Sequence, residues 1–248
     1  MLPLLGDAHA RALVDRLDHD FSRFAGRPWF RAVVRTFVFD NMVRSFLGAH
    51  PTGTVIELGA GLNTRFERLD NGRQRWFDVD LPEVTSLRRA LLSSCARRAH
   101  VAASILESSW LELVATAPGP YCFVLEAMLG YVRCDQIRGV LVRIARHFPG
   151  ATIAFDVHPQ WNLVGGELVK STTPCGLLMA DIPRAIERWQ IGLTLVEATR
   201  FLGLTPRTPG PLLSSATRGL EVRGPMVVAR FHADDRRPPI ASPIGRSS

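Results

Sequence analysis

Thr54-Val55-Ile56-Glu57-Leu58-Gly59-Ala60-Gly61-Leu62-Asn63-Thr64-Arg65 reads as a strand, a glycine turn and the start of a helix. Val55 to Leu58 is a short buried strand, and in Gly59-Ala60-Gly61 a side chain would block a ligand. Thr64 to Leu69 begins a helix. A strand that runs through glycines into a helix places backbone N–H groups and a positive helix end beside a bound cofactor. The next strand-like run, Gln74 to Val79, leads to Asp80, which follows Gly59 by 21 residues. That is close to the roughly 20 at which a carboxylate meets a ribose diol in nucleotide-binding α/β folds. Together these features indicate an adenosine-containing ligand.

Two residues choose between candidate ligands. The dinucleotide fingerprint wants a third glycine three positions after the second, and Thr64 stands there. Glu57, two residues before the first glycine, would repel a pyrophosphate but favours an ammonium and a sulfonium. S-Adenosylmethionine is therefore favoured over NAD, and an NAD-linked oxidoreductase is the lesser alternative.

Outward from this centre the chain alternates helix and strand. Residues 8–24 read as an amphipathic helix with Ala12, Leu13, Leu17, Phe21 and Phe24 on one face. A second helix over about 29–48 repeats Val33, Val34, Phe37, Val38, Met42, Phe46 and Leu47 at helical spacing. Pro82 suits the first turn of a helix whose buried stripe is Val84, Leu87, Leu91 and Cys95, with Arg88, Arg89, Arg97 and Arg98 solvated. His100 to Ala103 reads as a third strand, and Ser109-Trp110-Leu111-Glu112 as a capping box opening a helix. Tyr121 to Leu125 is a continuous apolar run, typical of a central parallel strand. Asp135 caps a helix that turns Ile137, Val140, Leu141, Ile144 and Phe148 inward, and Ala151 to Phe155 is a fifth strand.

Beyond that the rhythm changes. Residues 157–180 have no clear period and form a long segment of the kind that is functional rather than idle. A helix near 181–190, strands at Leu193 to Glu197 and Met226 to Phe231, and a Pro-, Ser- and Arg-rich tail expected to be disordered complete the chain. The expected division is an N-terminal helical cap at 1–50, a catalytic domain at 51–232 and a disordered tail at 233–248. Alternating elements predict an α/β fold with a parallel sheet covered on both faces, and ligands bind at the carboxyl ends of such strands. Those ends are Gly59, Asp80, Ser104, Glu126 and Asp156.

Composition narrows the class. With 46% hydrophobic residues in 248, the chain can bury a full core. Its net charge of +7 comes from arginines scattered among carboxylates, with Lys170 the one lysine, so the balance reflects solvated faces rather than a nucleic-acid surface. Four cysteines without C-x-x-C spacing argue against zinc or any other metal and for reduced, intracellular thiols. No leader and no run of about 18 uncharged apolar residues is present, so a cytoplasmic protein without a membrane span is expected.

Three pieces occur in order with fitting spacing: Ile56-Glu57-Leu58-Gly59-Ala60-Gly61-Leu62-Asn63-Thr64-Arg65, Asp78-Val79-Asp80-Leu81-Pro82-Glu83-Val84, and Leu125-Glu126-Ala127-Met128-Leu129-Gly130-Tyr131. Arg35-Thr36 with Asp40, Trp110-Leu111 and Ile186-Glu187-Arg188-Trp189 also fit. Over about residues 20–232 the chain resembles the leucine carboxyl methyltransferase family, in its bacterial branch of polyketide O-methyltransferases. The resemblance implies a class I, Rossmann-like, seven-stranded, mostly parallel sheet. It also implies S-adenosylmethionine as donor, S-adenosylhomocysteine as product, and a small, largely apolar carboxylic acid or polyketide-like acceptor. By position, Arg35 would grip the donor carboxylate, Gly59 and Gly61 would line the methionine moiety, and Glu57 and Glu126 would lie near the amino group. Asp80, followed by Leu81, would take the ribose hydroxyls. Ser104, followed by Ile105, stands where the family usually has an aspartate near the adenine.

Each candidate also has a plainer role. Asp80 could simply cap the Pro82 helix, Arg35 could be a solvated helix arginine, and Glu126 could sit in a structural ion pair, since an unpaired carboxylate there would be costly. Asp78 should point to the opposite face from Asp80. Tyr131, His158 and Trp161 are candidates for positioning the acceptor, or are core and loop residues. Methyl transfer asks mainly for alignment; a carboxylic acid acceptor, ionised at neutral pH, needs no base, whereas a phenol would benefit from one. A non-catalytic donor-binding protein is the other reading of the same residues.

Overall fold

The computed structural model describes residues 5–24, 27–128, 131–157, 161–164, 167–170, 186, 188–201 and 226–234. Nine strands are described: β1 (Thr54–Leu58), β2 (Arg75–Asp80), β3 (Arg98–Ala102), β4 (Tyr121–Leu125), β5 (Thr152–Val157), β6 (Trp161–Val164), β7 (Glu167–Lys170), β8 (Leu193–Phe201) and β9 (Met226–Ala233). Helices α1 (Ala8–Arg16), α2 (Arg27–Ala49), α3 (Arg65–Leu69), α4 (Pro82–Leu91), α5 (Ser109–Ala115) and α6 (Cys134–His147) intervene. Seven strands form one sheet in the order β3-β2-β1-β4-β5-β9-β8. The first five are parallel, and β9 runs antiparallel to both of its neighbours.

Alternation along the strands sorts the core into two layers. Val55, Trp76, Cys122, Val124 and Ala154 face α2 and α3, where Val34, Phe39, Val43, Phe46 and Phe66 close one layer. Ile56, Leu58, Phe77, Val79, Phe123, Leu125 and Phe155 face the other way and pack on Trp110, Ile137, Val140, Leu141 and Phe148. Complete burial of each such apolar side chain contributes about 1.5–3 kcal/mol, which fixes strand register on both faces. Helix α2, in the segment expected to be an N-terminal cap, thus shares a core with the sheet.

The strand order reverses between β2-β1 and β4, which opens a crevice at the carboxyl ends of β1 and β4. Gly59 and Gly61 leave β1 at φ +74° and +51°, a region that costs other residues about 1–2 kcal/mol.

Several local expectations are corrected. The first helix ends at Arg16 rather than near residue 24, because Leu17 is extended and Asp20 turns its carboxylate onto the Ser22 amide. Helix α4 is rotated from its expected phase: Thr85 and Arg88 are buried, whereas Leu87 and Cys95 are exposed. Arg88 of α4 and Arg98 at the start of β3, both expected in solvent, are buried, and both pair with Asp78. Ser109 is the first residue of α5 and forms no capping box. Arg133, not Asp135, occupies the N-cap of α6, and its amide donates to Gln136 Oε1 at 3.1 Å. Within 157–180, β6 and β7 pair as an antiparallel hairpin. Most of the helix near 181–190, much of that long segment and the tail beyond Asp234 lie outside the described residues.

Candidate functional site

At the crevice, Glu57 and Leu58 of β1 with Gly59 and Ala60 after it, Val124 of β4 and Glu126 just beyond it, Arg35 from α2, and Asn63 line a cavity of about 160 Å³. Four of the carboxyl-end residues anticipated from the sequence, Gly59, Asp80, Glu126 and Asp156, meet here or directly beside it. Asp80 Oδ2 accepts from the Gly61 amide at 2.7 Å and Oδ1 from the Leu81 amide at 2.8 Å. The carboxylate is thereby oriented, with lone pairs to spare for a diol.

The floor is an ion network. Arg65, the first residue of α3, is fully buried and reaches Asp40 at 2.8 Å, Glu57 and Glu126. Glu126 also accepts from Arg35 Nε at 2.9 Å, from Thr36 Oγ1 at 2.7 Å and from Asn63 Nδ2 at 3.3 Å. Arg68 joins Asp40 and Asp7, and Thr64 donates to Asp7, so the start of α1 is tied to the same cluster. Asp156 accepts from the Ala127 amide at 2.6 Å and lies 3.7 Å from Arg35.

Charge is not balanced in this group. Five carboxylates (Asp7, Asp40, Glu57, Glu126, Asp156) face three guanidiniums (Arg35, Arg65, Arg68). Burial pushes Glu57 up to about 7, outweighing the pull of Arg65. Burial would raise Glu126 as well, but Arg65 and Arg35 hold it down at about 2. Glu57 Oε2 is buried without a hydrogen-bond partner. A cavity lined by one ionised carboxylate, one under-satisfied carboxyl and one guanidinium complements an amino acid head group with its ammonium and carboxylate. At Gly59 the turn packs directly on Met128, whose sulfur would stand 1.9 Å from a Cβ there. The residues present fit a nucleoside carrying an amino acid.

The remaining sequence candidates are spread more widely. Ser104 follows β3, accepts from the Leu106 amide at 3.2 Å and is partly exposed. Ile105 is buried, and Leu81 is exposed at the start of α4 next to Asp80. Tyr131 is 86% exposed and stands in solvent rather than in the core. His158 and the side chain of Trp161 lie outside the described residues. Asp78, expected on the face opposite Asp80, stands two residues before it in β2 and so shares its strand face; Arg88, Arg98 and His100 surround it.

Sequence reading assigned no role to Thr36, Asp40, Asn63, Arg65 or Arg68. A signal was present: Thr36 and Asp40 are four apart on one helix face, beside the crevice. Their partners, however, lie outside the helix: Glu126 is 90 residues from Thr36, and Arg65 and Arg68 are 25 and 28 from Asp40.

This sheet order with its single reversed strand, and a glycine turn beside a ribose-length carboxylate, define the class I methyltransferase fold. Solved structures share it. The N-methyltransferase NodS from Bradyrhizobium japonicum WM9 is 17% identical, with a TM-score of 0.50 over 92% of this chain and 99% of its own. Magnesium protoporphyrin IX methyltransferase from Synechocystis PCC 6803 is 12% identical, with a TM-score of 0.52 over 92% of this chain and 95% of its own. At such identities the likeness is one of fold.

The chain belongs to the leucine carboxyl methyltransferase family, whose profile matches residues 4–145. It is also similar to the tetracenomycin polyketide synthesis O-methyltransferase TcmP of Streptomyces glaucescens, at 34% identity over 164 residues. That alignment covers 65% of this chain and 60% of the relative's length.

Proposed function

We propose that this protein is an S-adenosylmethionine-dependent O-methyltransferase whose acceptor is a small, largely apolar carboxylic acid or polyketide-like molecule. The observation that carries the reading is the convergence of the Gly59–Gly61 turn, Asp80, Arg35 and Glu126 on one crevice. When bound, the donor would supply a methyl group on a positively charged sulfur. Asp80 would receive the ribose hydroxyls, and Leu81, Ser104 and Ile105 would border the adenine. Glu126 and Glu57 would face the ammonium, and Arg35 the carboxylate. Gly59 and Gly61 would let the backbone approach the methionine moiety.

The chain's task in such a reaction is alignment, which can account for about 7–11 kcal/mol of barrier lowering. A carboxylate acceptor, ionised at neutral pH, asks no side chain to remove a proton. Similarity to TcmP, described as a polyketide synthesis O-methyltransferase, supports an oxygen acceptor of that chemical kind. In this reading residues 51–232 are the catalytic domain, with 1–50 as its helical cap. No described helix is long and apolar enough to cross a membrane; a cytoplasmic location is part of this reading.

Calorimetry with S-adenosylhomocysteine tests the donor assignment, and mass-spectrometric detection of methylated products across carboxylic acids and phenols tests the acceptor. Saturable binding and methyl esters are expected. Binding of NAD in preference to the demethylated donor would overturn the first assignment, and ether products alone would overturn the carboxylate preference.

A further inference from the structure

Against the glycine turn, Arg88 rises from α4 and is fully buried. Its NH1 donates to the carbonyls of Gly61 at 2.6 Å, Asn63 at 3.1 Å and Ala60 at 3.3 Å. Its NH2 lies 2.9 Å from Asp78 Oδ1. Asp78 is itself immobilised: Oδ2 accepts from Arg98 Nε at 2.7 Å and lies 3.1 Å from His100 Nδ1, while Oδ1 accepts from Trp76 Nε1 at 3.2 Å. Burial would push the Asp78 carboxyl up, but His100, Arg88 and Arg98 hold it well below the ordinary range.

The Gly61 residue is thereby gripped at both polar groups. Its N–H donates to Asp80 at 2.7 Å and its carbonyl accepts from Arg88 at 2.6 Å. Both gripping residues belong to the β2–α4 unit, which Thr85 fastens to the sheet through the carbonyls of Asp80 and Val101. Three carbonyls that crowd together repel one another unless a cation lies among them. A planar guanidinium can meet carbonyls with one nitrogen and a carboxylate with the other, which a single ammonium cannot reproduce. Arg88 plays no part in the site as proposed above, yet it touches the backbone of three of the four residues from Ala60 to Asn63.

We propose that Arg88 is a positioning residue of the donor site. Anchored on Asp78, it fixes the shape in which the turn at 59–63 and Asp80 are offered to the nucleoside. This rests on the donor-binding reading given above. A purely structural Arg88 would lower stability without altering the affinity of the molecules that remain folded.

The test compares wild-type protein with Arg88→Lys, Arg88→Met and, as a remote core control, Val140→Ala. Two readouts are taken: calorimetric affinity for S-adenosylhomocysteine, and amide hydrogen exchange of the peptide covering 59–64. Both Arg88 variants should bind about tenfold or more weakly, the scale of one lost charge-assisted bond. The 59–64 peptide should exchange faster in them while that covering 121–125 does not. Val140→Ala should unfold more easily with both readouts unchanged. Folded Arg88→Lys with wild-type affinity and wild-type exchange overturns the proposal. If neither Arg88 variant folds, Asp78→Asn, which keeps Arg88 and loosens its anchor, carries the same expectations, and wild-type affinity and exchange in that variant overturn the proposal equally. Wild-type protein that ignores S-adenosylhomocysteine would instead overturn the donor reading, and the exchange comparison then decides alone whether Arg88 shapes the turn.

Discussion

Arg35 Nε stands 2.9 Å from Glu126 Oε1, so the cation expected to hold a ligand's carboxylate and the anion expected to hold its ammonium hold each other. A zwitterionic head group inserted between them exchanges one internal ion pair for two. The pair also keeps both side chains extended toward the crevice, because Thr36, Asn63 and Arg65 fix the carboxylate from its other sides.

Glu126→Gln keeps the shape of this arrangement and removes its charge. Loss of a charge-assisted bond of about 1.5–3 kcal/mol should weaken S-adenosylhomocysteine binding roughly 10- to 150-fold in calorimetry. Affinity within about twofold of wild type would take Glu126 out of the binding set.

Asp80→Ala removes the expected ribose ligand and releases the Gly61 amide at once. The same calorimetric measurement should show a loss of about 10- to 150-fold, with a smaller loss for Asp80→Asn, which can still accept a bond. Unchanged binding by both would leave Asp80 as a cap for α4 and nothing more.

Glu57 and Glu126 pull stability in opposite directions with pH. A carboxyl raised from 4.5 to about 7 in the folded protein keeps a proton that the unfolded chain has lost, so Glu57 subtracts stability as pH rises through that window. Glu126, lowered from 4.5 to about 2, adds stability above 4.5 that is lost as pH falls toward 2. Urea midpoints of the wild type should fall between about pH 5 and about pH 7.5, and Glu57→Gln should flatten that limb. Parallel curves for the two proteins would show that Glu57 is not the group responsible.

Ala127 follows Glu126 with φ at +62°, held there by the bond from its amide to Asp156. Such a backbone costs a β-branched residue more than alanine, so Ala127→Val should destabilise by about 1–3 kcal/mol. Ala127→Gly should be neutral or stabilising by up to about 1 kcal/mol. Chemical denaturation of the two variants checks the order, and a valine variant as stable as wild type contradicts it.

Local pattern carried the architecture. Tyr121 to Leu125 lies as a central strand where its unbroken apolar run places it, and α6 buries Ile137, Val140, Leu141, Ile144 and Phe148 as their spacing predicts. The carboxyl ends then followed from the count of strands, which is why Asp80 and Glu126 could be singled out. Arg88 shows where pattern fails. Helical periodicity sorts residues by polarity, and it placed this arginine in solvent. Its burial depends on the carbonyls of Ala60, Gly61 and Asn63 and on Asp78, none of which is within its own helix.

From the sequence alone came the alternation of strands and helices, the glycine turn, and the interval from that turn to Asp80. These are short-range properties, set by hydrophobic period and by which residues tolerate positive φ. Tertiary structure decided which charges meet: Arg65 with Glu57 and Glu126, Arg35 with Glu126, and Arg88 with Asp78. A buried charge is tolerated only where an opposite charge or a bond acceptor arrives from elsewhere in the chain, and that arrival is a fact of packing in three dimensions.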